Sequence, residues 1–227
     1  MNYSFIIYGM MYIALFVTIA SQIFISSSYN KYSKIKNKRG ITGYDAIRRL
    51  LDENGLSNVK IVETKGYLTD HYDPNDKVIR LSSDVFHGDS IASVSVACHE
   101  CGHAIQDKEN YKFMRIRSRL VPIINFSSYV GYLSILLGIL FSSYNLLWIG
   151  IFAEMVILLF QLVTLPVEIN ASCRALRELD YSHIFTSKEL EQGKTMLVAA
   201  ALTYVASIIT SLIQIVRLIL LFGRKED

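Results

Sequence analysis

The chain has 227 residues, 52% of them hydrophobic and 19% charged, with a formal net charge of +3. A mean hydropathy of +0.32 is too high for an ordinary soluble domain, and so small a charge excess gives no reason to expect a nucleic-acid partner. There is no internal repeat and no low-complexity segment, which excludes repeat architectures and disordered linkers.

In chain order, the first apolar block runs from Tyr3 to Ile25 without a charged residue. It reaches the roughly 20 residues that cross a bilayer as a helix. No basic residue precedes it, its apolar stretch is long, and no small-residue cleavage site follows, so it reads as an uncleaved anchor and not a signal peptide. Lys31, Lys34, Lys36, Lys38 and Arg39 follow closely.

The next segment reads as a small α+β unit. Thr42 caps a helix from Gly43 to about Glu53 that places Ala46, Leu50 and Leu51 on one face and stops at Asn54-Gly55. Val59 to Val62 is a short strand candidate. Leu68 to Tyr72 and Lys77 to Leu81 flank Asp73-Pro74-Asn75-Asp76, the pattern of a hairpin. A hairpin in front of the next helix presents an edge strand to which an extended peptide can add.

His99-Glu100-Cys101-Gly102-His103 spells H-E-x-x-H. On a helix, residues four apart share one face, so both imidazoles reach one zinc ion, and Glu100 lies beside it to handle the proton of a water molecule. Asp89 or Ser90 caps the helix, and Ile91, Val94, Cys98 and Ile105 recur at helical spacing. The uncharged neighbours Val96, Ala97, Ala104 and Ile105 suit a helix buried in a core with its polar side chains aimed at a cleft. This is the signature of a zinc-dependent peptidase site.

Lys108, Lys112, Arg115, Arg117 and Arg119 precede a second apolar block, Val121 to Phe141. The uncharged turn Ser142-Ser143-Tyr144-Asn145 leads into a third, Leu146 to Leu165, whose one charge is Glu154. Pro166 is expected to end that helix and a new one to run from Val167 to Leu179. The fourth block, Met196 to Phe222, carries Arg217 alone. Charges in lipid are costly and usually paired, so Glu154 and Arg217 are expected to approach each other. Basic flanks stay in the cytoplasm, which puts the amino terminus outside and residues 27–120 and 167–195 in the cytoplasm. The tail, with Arg224 and Lys225, then falls outside, in mild conflict with the same rule. The basic flanks face anionic lipid.

Cys98, Cys101 and Cys173 fit a reducing compartment. Cys98 and Cys101 have redox spacing, yet Cys101 lies within the zinc motif and no thioredoxin-like strand precedes it, so both read as buried thiols.

Three runs carry a resemblance: Leu68-Thr69-Asp70-His71-Tyr72-Asp73-Pro74, Ala97-Cys98-His99-Glu100-Cys101-Gly102-His103-Ala104-Ile105-Gln106, and Leu165-Pro166-Val167-Glu168-Ile169-Asn170-Ala171-Ser172. With Thr42-Gly43, Arg80-Leu81-Ser82 and Ala199 to Ala206, they make the chain similar, from about Thr42 onward, to the neutral zinc metallopeptidase family of small bacterial membrane proteins, often called YugP-like. The resemblance implies an α+β membrane protein with about four transmembrane helices and a small cytoplasmic zincin-like domain, built on the H-E-x-x-H helix and a short β-hairpin. The expected organisation is an anchor at 1–26, the zincin-like domain at 27–120, a transmembrane hairpin at 121–166, a cytoplasmic helix at 167–195 and a last membrane helix with its tail at 196–227.

A catalytic zinc takes three protein ligands and keeps one position open. The run Glu168-x-x-Ala171-Ser172 is similar to the E-x-x-A-D run that carries the third ligand in membrane gluzincins, which implies one zinc per chain on His99, His103 and Glu168. Ser172 stands where that pattern has an aspartate. Glu178, Asp180 and His183 are the rival ligands. Glu100 is then the general base, and His71, Arg174 and His183 are candidates to stabilise the oxyanion; His71 has a second reading as a hairpin residue. The implied activity is a membrane-bound endopeptidase acting on peptide or membrane-protein substrates, with its site facing the cytoplasm. A non-proteolytic zinc-binding scaffold or pseudo-enzyme is the alternative, and a dithiol redox protein a further one. Oligomeric state is not legible.

Overall fold

The computed structural model describes residues 3–66 and 68–222; Tyr67 and the tail with Arg224 and Lys225 lie outside the described residues. The elements in order are α1 (Tyr3–Tyr32), α2 (Gly43–Glu53), β1 (Lys60–Thr64), β2 (His71–Asp73), β3 (Val78–Ser82), α3 (Ser83–Phe86), α4 (Ile91–Lys108), α5 (Lys112–Leu140), α6 (Tyr144–Tyr181) and α7 (Ser187–Phe222). They fall into two compact units, one of residues 1–22, 115–166 and 202–227, the other of residues 23–114 and 167–201.

The first unit holds the apolar stretches of α1, α5, α6 and α7, four helices long and apolar enough to cross a membrane. Large apolar side chains such as Phe16, Phe126, Tyr129 and Phe152 point outward. That surface is a liability in water and is satisfied in hydrocarbon. A small cluster of Ile151, Ile215 and Leu218 packs inside. The expected Glu154–Arg217 pair does not form. Arg217 donates through Nε to Gln214 Oε1, 3.1 Å away on its own helix. Among the described residues Glu154 has no ion pair. A glutamine one turn back thus supplies an acceptor to the guanidinium Nε.

Proline also acts differently from expectation. Pro166 does not end the third apolar helix: α6 runs through it to Tyr181, as α5 runs through Pro122. A proline inside a long apolar helix forfeits one backbone hydrogen bond, which such helices tolerate when neighbouring groups serve the freed carbonyl.

The second unit is built around α4. Its core joins Ile47, Leu50 and Leu51 of α2, Ile79 and Leu81 of β3, Ile91, Val94 and Cys98 of α4, and Val167, Ala175 and Leu179 of α6. The start of α2 is as the sequence dictates: the Asp45 backbone N–H donates to Thr42 Oγ1 at 3.1 Å. At its end Gly55 adopts φ +66°, a conformation that glycine adopts without strain. The strands form a sheet of order β1-β3-β2. β2 and β3 are the expected antiparallel hairpin, with Tyr72 opposite Ile79. Its turn is held by Asp73 Oδ1, which accepts from the Asn75 and Asp76 backbone at 2.9 and 3.3 Å. The strand β2 starts later than expected because Leu68 has φ +54°, which no strand residue adopts. The parallel pairing of β1 with β3, Ile61 opposite Ile79, is a non-local contact that no short-range pattern announces.

Candidate metal centre

Helix α4 begins at Ser90, whose Oγ accepts from the Ser93 backbone at 3.0 Å. Apart from Val96, His99, Asp107 and Lys108, every residue of the helix is buried. A helix this enclosed cannot leave imidazoles without partners, since buried polar groups must be satisfied. The two histidines of the motif lie with ring centroids 4.8 Å apart and nearly perpendicular. Both turn Nε2 toward one carboxylate: His99 Nε2 is 3.2 Å and His103 Nε2 3.7 Å from Glu168 Oε2. The three donor atoms lie within 4.8 Å of one another.

Glu168 comes from α6 and is only 4% exposed. Burial pushes its carboxyl up, but the hydrogen bonds from His103 and His99 outweigh this and hold it well below the usual carboxylate range. It is therefore an anion at neutral pH. What lets α6 come so close is Gly102, inside the motif: a Cβ there would lie 3.0 Å from the carbonyl carbon and 3.1 Å from the Cα of Ala171.

The other nitrogen of each ring is held as well. Ser172 Oγ lies 3.1 Å from His99 Nδ1, and Gln106 Oε1 lies 3.0 Å from His103 Nδ1. When Nδ1–H donates to these oxygens, each Nε2 is the atom that would give its lone pair to a metal at the shared point, in place of its hydrogen bond to Glu168. Ser172 thus occupies, with a hydroxyl, the place of the aspartate in the pattern that the sequence resembles. Gln106 in turn donates through Nε2 to the Val167 carbonyl at 2.8 Å and to Asn170 Oδ1 at 2.9 Å. Asn170 Oδ1 also accepts from Arg174 Nε at 2.7 Å, and Arg174 pairs with Glu109 at 2.7 Å.

Two imidazole nitrogens, each ring held from behind, and one carboxylate oxygen are the donor set that suits a catalytic zinc ion, and the residues fit one. Glu100, next to the first histidine, is 7% exposed, and its carboxylate accepts no hydrogen bond from the described residues. The remaining sequence candidates lie apart from this cluster. His71 is exposed on β2, with Nδ1 2.8 Å from the Thr69 carbonyl. Glu178 accepts from Asn54 Nδ2 at 2.9 Å. Asp180 and His183 are exposed. None of the three rivals joins the donor group among the described residues. Cys98 and Cys101 are free and buried, and burial pushes both thiols up, opposite to the shift that a redox-active thiolate needs.

Sequence reasoning did not assign Gly102, Gln106 or Asn170. The signal for Gln106 was available: a lone amide one turn past His103, in a run of otherwise buried positions. The roles of Gly102 and Asn170 depend on where α6 packs, which no local pattern states.

The family described as putative neutral zinc metallopeptidase matches residues 7–223. A protein of Bacillus subtilis (strain 168) named putative membrane protease YugP is 43% identical over 223 residues, spanning 94% of this chain and 99% of that protein. No solved structure matches the chain. With a match along nearly its whole length and the zinc-type donor set in place, the chain belongs to the neutral zinc metallopeptidase family.

Proposed function

We propose that this chain is a membrane-bound zinc-dependent endopeptidase that hydrolyses peptide bonds near the cytoplasmic surface of the bilayer. The observation that carries the reading is the convergence of His99 Nε2, His103 Nε2 and Glu168 Oε2 beside Glu100, whose carboxylate is left without a hydrogen bond from the described residues. A purely structural site needs no such carboxylate.

His99, His103 and Glu168 would hold the zinc ion, which when bound would supply Lewis-acid chemistry, activating a water and polarising a carbonyl. Glu100 takes the proton of the attacking water and passes it to the leaving amine. Ser172 and Gln106 keep the imidazoles in the donating orientation. Of the oxyanion candidates, Arg174 is engaged by Glu109 and Asn170, and His71 and His183 are exposed, outside the donor group. β2 is an edge of the sheet, and an extended substrate adds there through main-chain hydrogen bonds.

The placement rests on the sequence. The apolar run Leu146 to Leu165 ends three residues before Glu168, and the basic residues flank the segments that hold the site. Membrane proteins and chains close to the membrane are the natural substrates. The test is Glu100→Gln in purified protein: it keeps about one zinc per chain and loses cleavage of a quenched fluorescent peptide library. Retained cleavage sinks the assignment. A wild type that binds zinc and cleaves no peptide returns the chain to the non-proteolytic zinc-binding alternative.

A further inference from the structure

We infer that Gln106 is a positioning residue that sets the metal-binding geometry of both zinc-ligand helices, with Asn170 and Arg174 fixing its orientation. The inference rests on the zinc reading above. Its basis is a chain of hydrogen bonds whose polarity has one solution. Arg174 has no acceptor atom, so Asn170 must turn its Oδ1 toward Arg174 Nε, 2.7 Å away. Gln106 then meets two oxygens, Asn170 Oδ1 at 2.9 Å and the Val167 carbonyl at 2.8 Å. Neither can donate, so the amide nitrogen of Gln106 must face them with both its hydrogens. Its Oε1 is left as the partner of His103 Nδ1 at 3.0 Å, and only an N–H on Nδ1 completes that bond. His103 therefore keeps its proton on Nδ1, and a metal at the shared point would take the Nε2 lone pair in place of the hydrogen bond to Glu168.

The same side chain reaches the backbone of Val167, the residue next to Glu168. One amide thus registers a ligand on α4 against a ligand on α6. Gln106 is 0% exposed, so water cannot substitute for its contacts. Glu109 closes the far end of the chain by holding Arg174 at 2.7 Å.

The experiment measures zinc dissociation constants of the purified full chain by chelator competition. Gln106→Met keeps the volume and leaves Asn170 with Arg174, but removes the acceptor behind His103; zinc affinity should fall about 10–100-fold. Gln106→Glu keeps that acceptor and, as the neutral acid, donates one O–H toward the Val167 carbonyl in place of the two amide hydrogens, so it should recover part of the loss, which a merely space-filling role does not predict. If Gln106→Met does not accumulate as folded protein, Asn170→Ala carries the same test, since it frees one Gln106 donor and should weaken zinc several-fold. Wild-type affinity in Gln106→Met or in Asn170→Ala, or equal losses in Gln106→Met and Gln106→Glu, overturns the inference alone. A wild type that takes up no zinc overturns the zinc reading and the inference with it.

Discussion

Gly102 of α4 faces the backbone of Ala171 on α6 with no room for a side chain between them. This contact places Glu168, three residues before Ala171, against the two histidines on either side of Gly102 in the motif. The site thus depends on a hydrogen atom standing where a methyl group otherwise is. Gly102→Ala should force the helices apart, lower stability by about 1–3 kcal/mol as overpacking does, and weaken zinc binding. Thermal unfolding with parallel zinc analysis checks it; a variant with wild-type zinc affinity contradicts this role for Gly102.

Ser172 holds His99 from behind with a hydroxyl. Ser172→Ala removes that partner and should lower zinc affinity about 10-fold, at the small end of such effects. Ser172→Asp places a carboxylate there and should bind zinc at least as tightly as the wild type. Chelator competition on the two variants reads both outcomes, and an unchanged affinity in Ser172→Ala shows the hydroxyl to be dispensable.

Tyr72 ties edge strand β2 to the end of α4 by donating to Asp107 Oδ2 at 2.7 Å, while Lys77 pairs with the same carboxylate. Burial, and then Asp107, push the phenol above its ordinary value of 10.0. A folded-state value raised in this way contributes stability that is complete below about 10 and is lost as pH rises beyond it. Tyr72→Phe should cost about 1–2 kcal/mol at neutral pH and flatten the alkaline fall in stability. Urea unfolding across pH tests this; an unchanged alkaline limb contradicts it.

Thiol chemistry separates the peptidase reading from the dithiol redox reading. Cys173 is exposed, while Cys98 and Cys101 are buried and their thiols pushed up. Under native conditions one thiol per chain should react with an alkylating reagent, and three after unfolding. Rapid native labelling of Cys98 or Cys101 revives the redox reading.

Much of this was legible in the chain, and the reasons are local. Thr42 and Ser90 announce two helix starts because a hydroxyl there serves a backbone N–H that has no helical partner. Asp73-Pro74-Asn75-Asp76 announces a turn through the short reach of the Asp73 carboxylate. The histidine spacing announces a shared helix face. What stayed hidden is set by distant packing. Pro166 reads as a stop, yet α6 continues, because the long apolar helix that contains it outweighs one missing hydrogen bond. Arg217 reads as a partner for Glu154, yet Gln214 on the same helix serves it. Gln106 and Asn170 become intelligible only once α6 lies against α4.

The central claim is that His99, His103 and Glu168 hold one zinc ion. The direct measurement is the metal content of the purified wild type beside Glu168→Ala. About one zinc per chain in the wild type, lost in the variant, is the expected result. No zinc in the wild type contradicts the site altogether, and zinc retained by Glu168→Ala contradicts Glu168 as the third ligand.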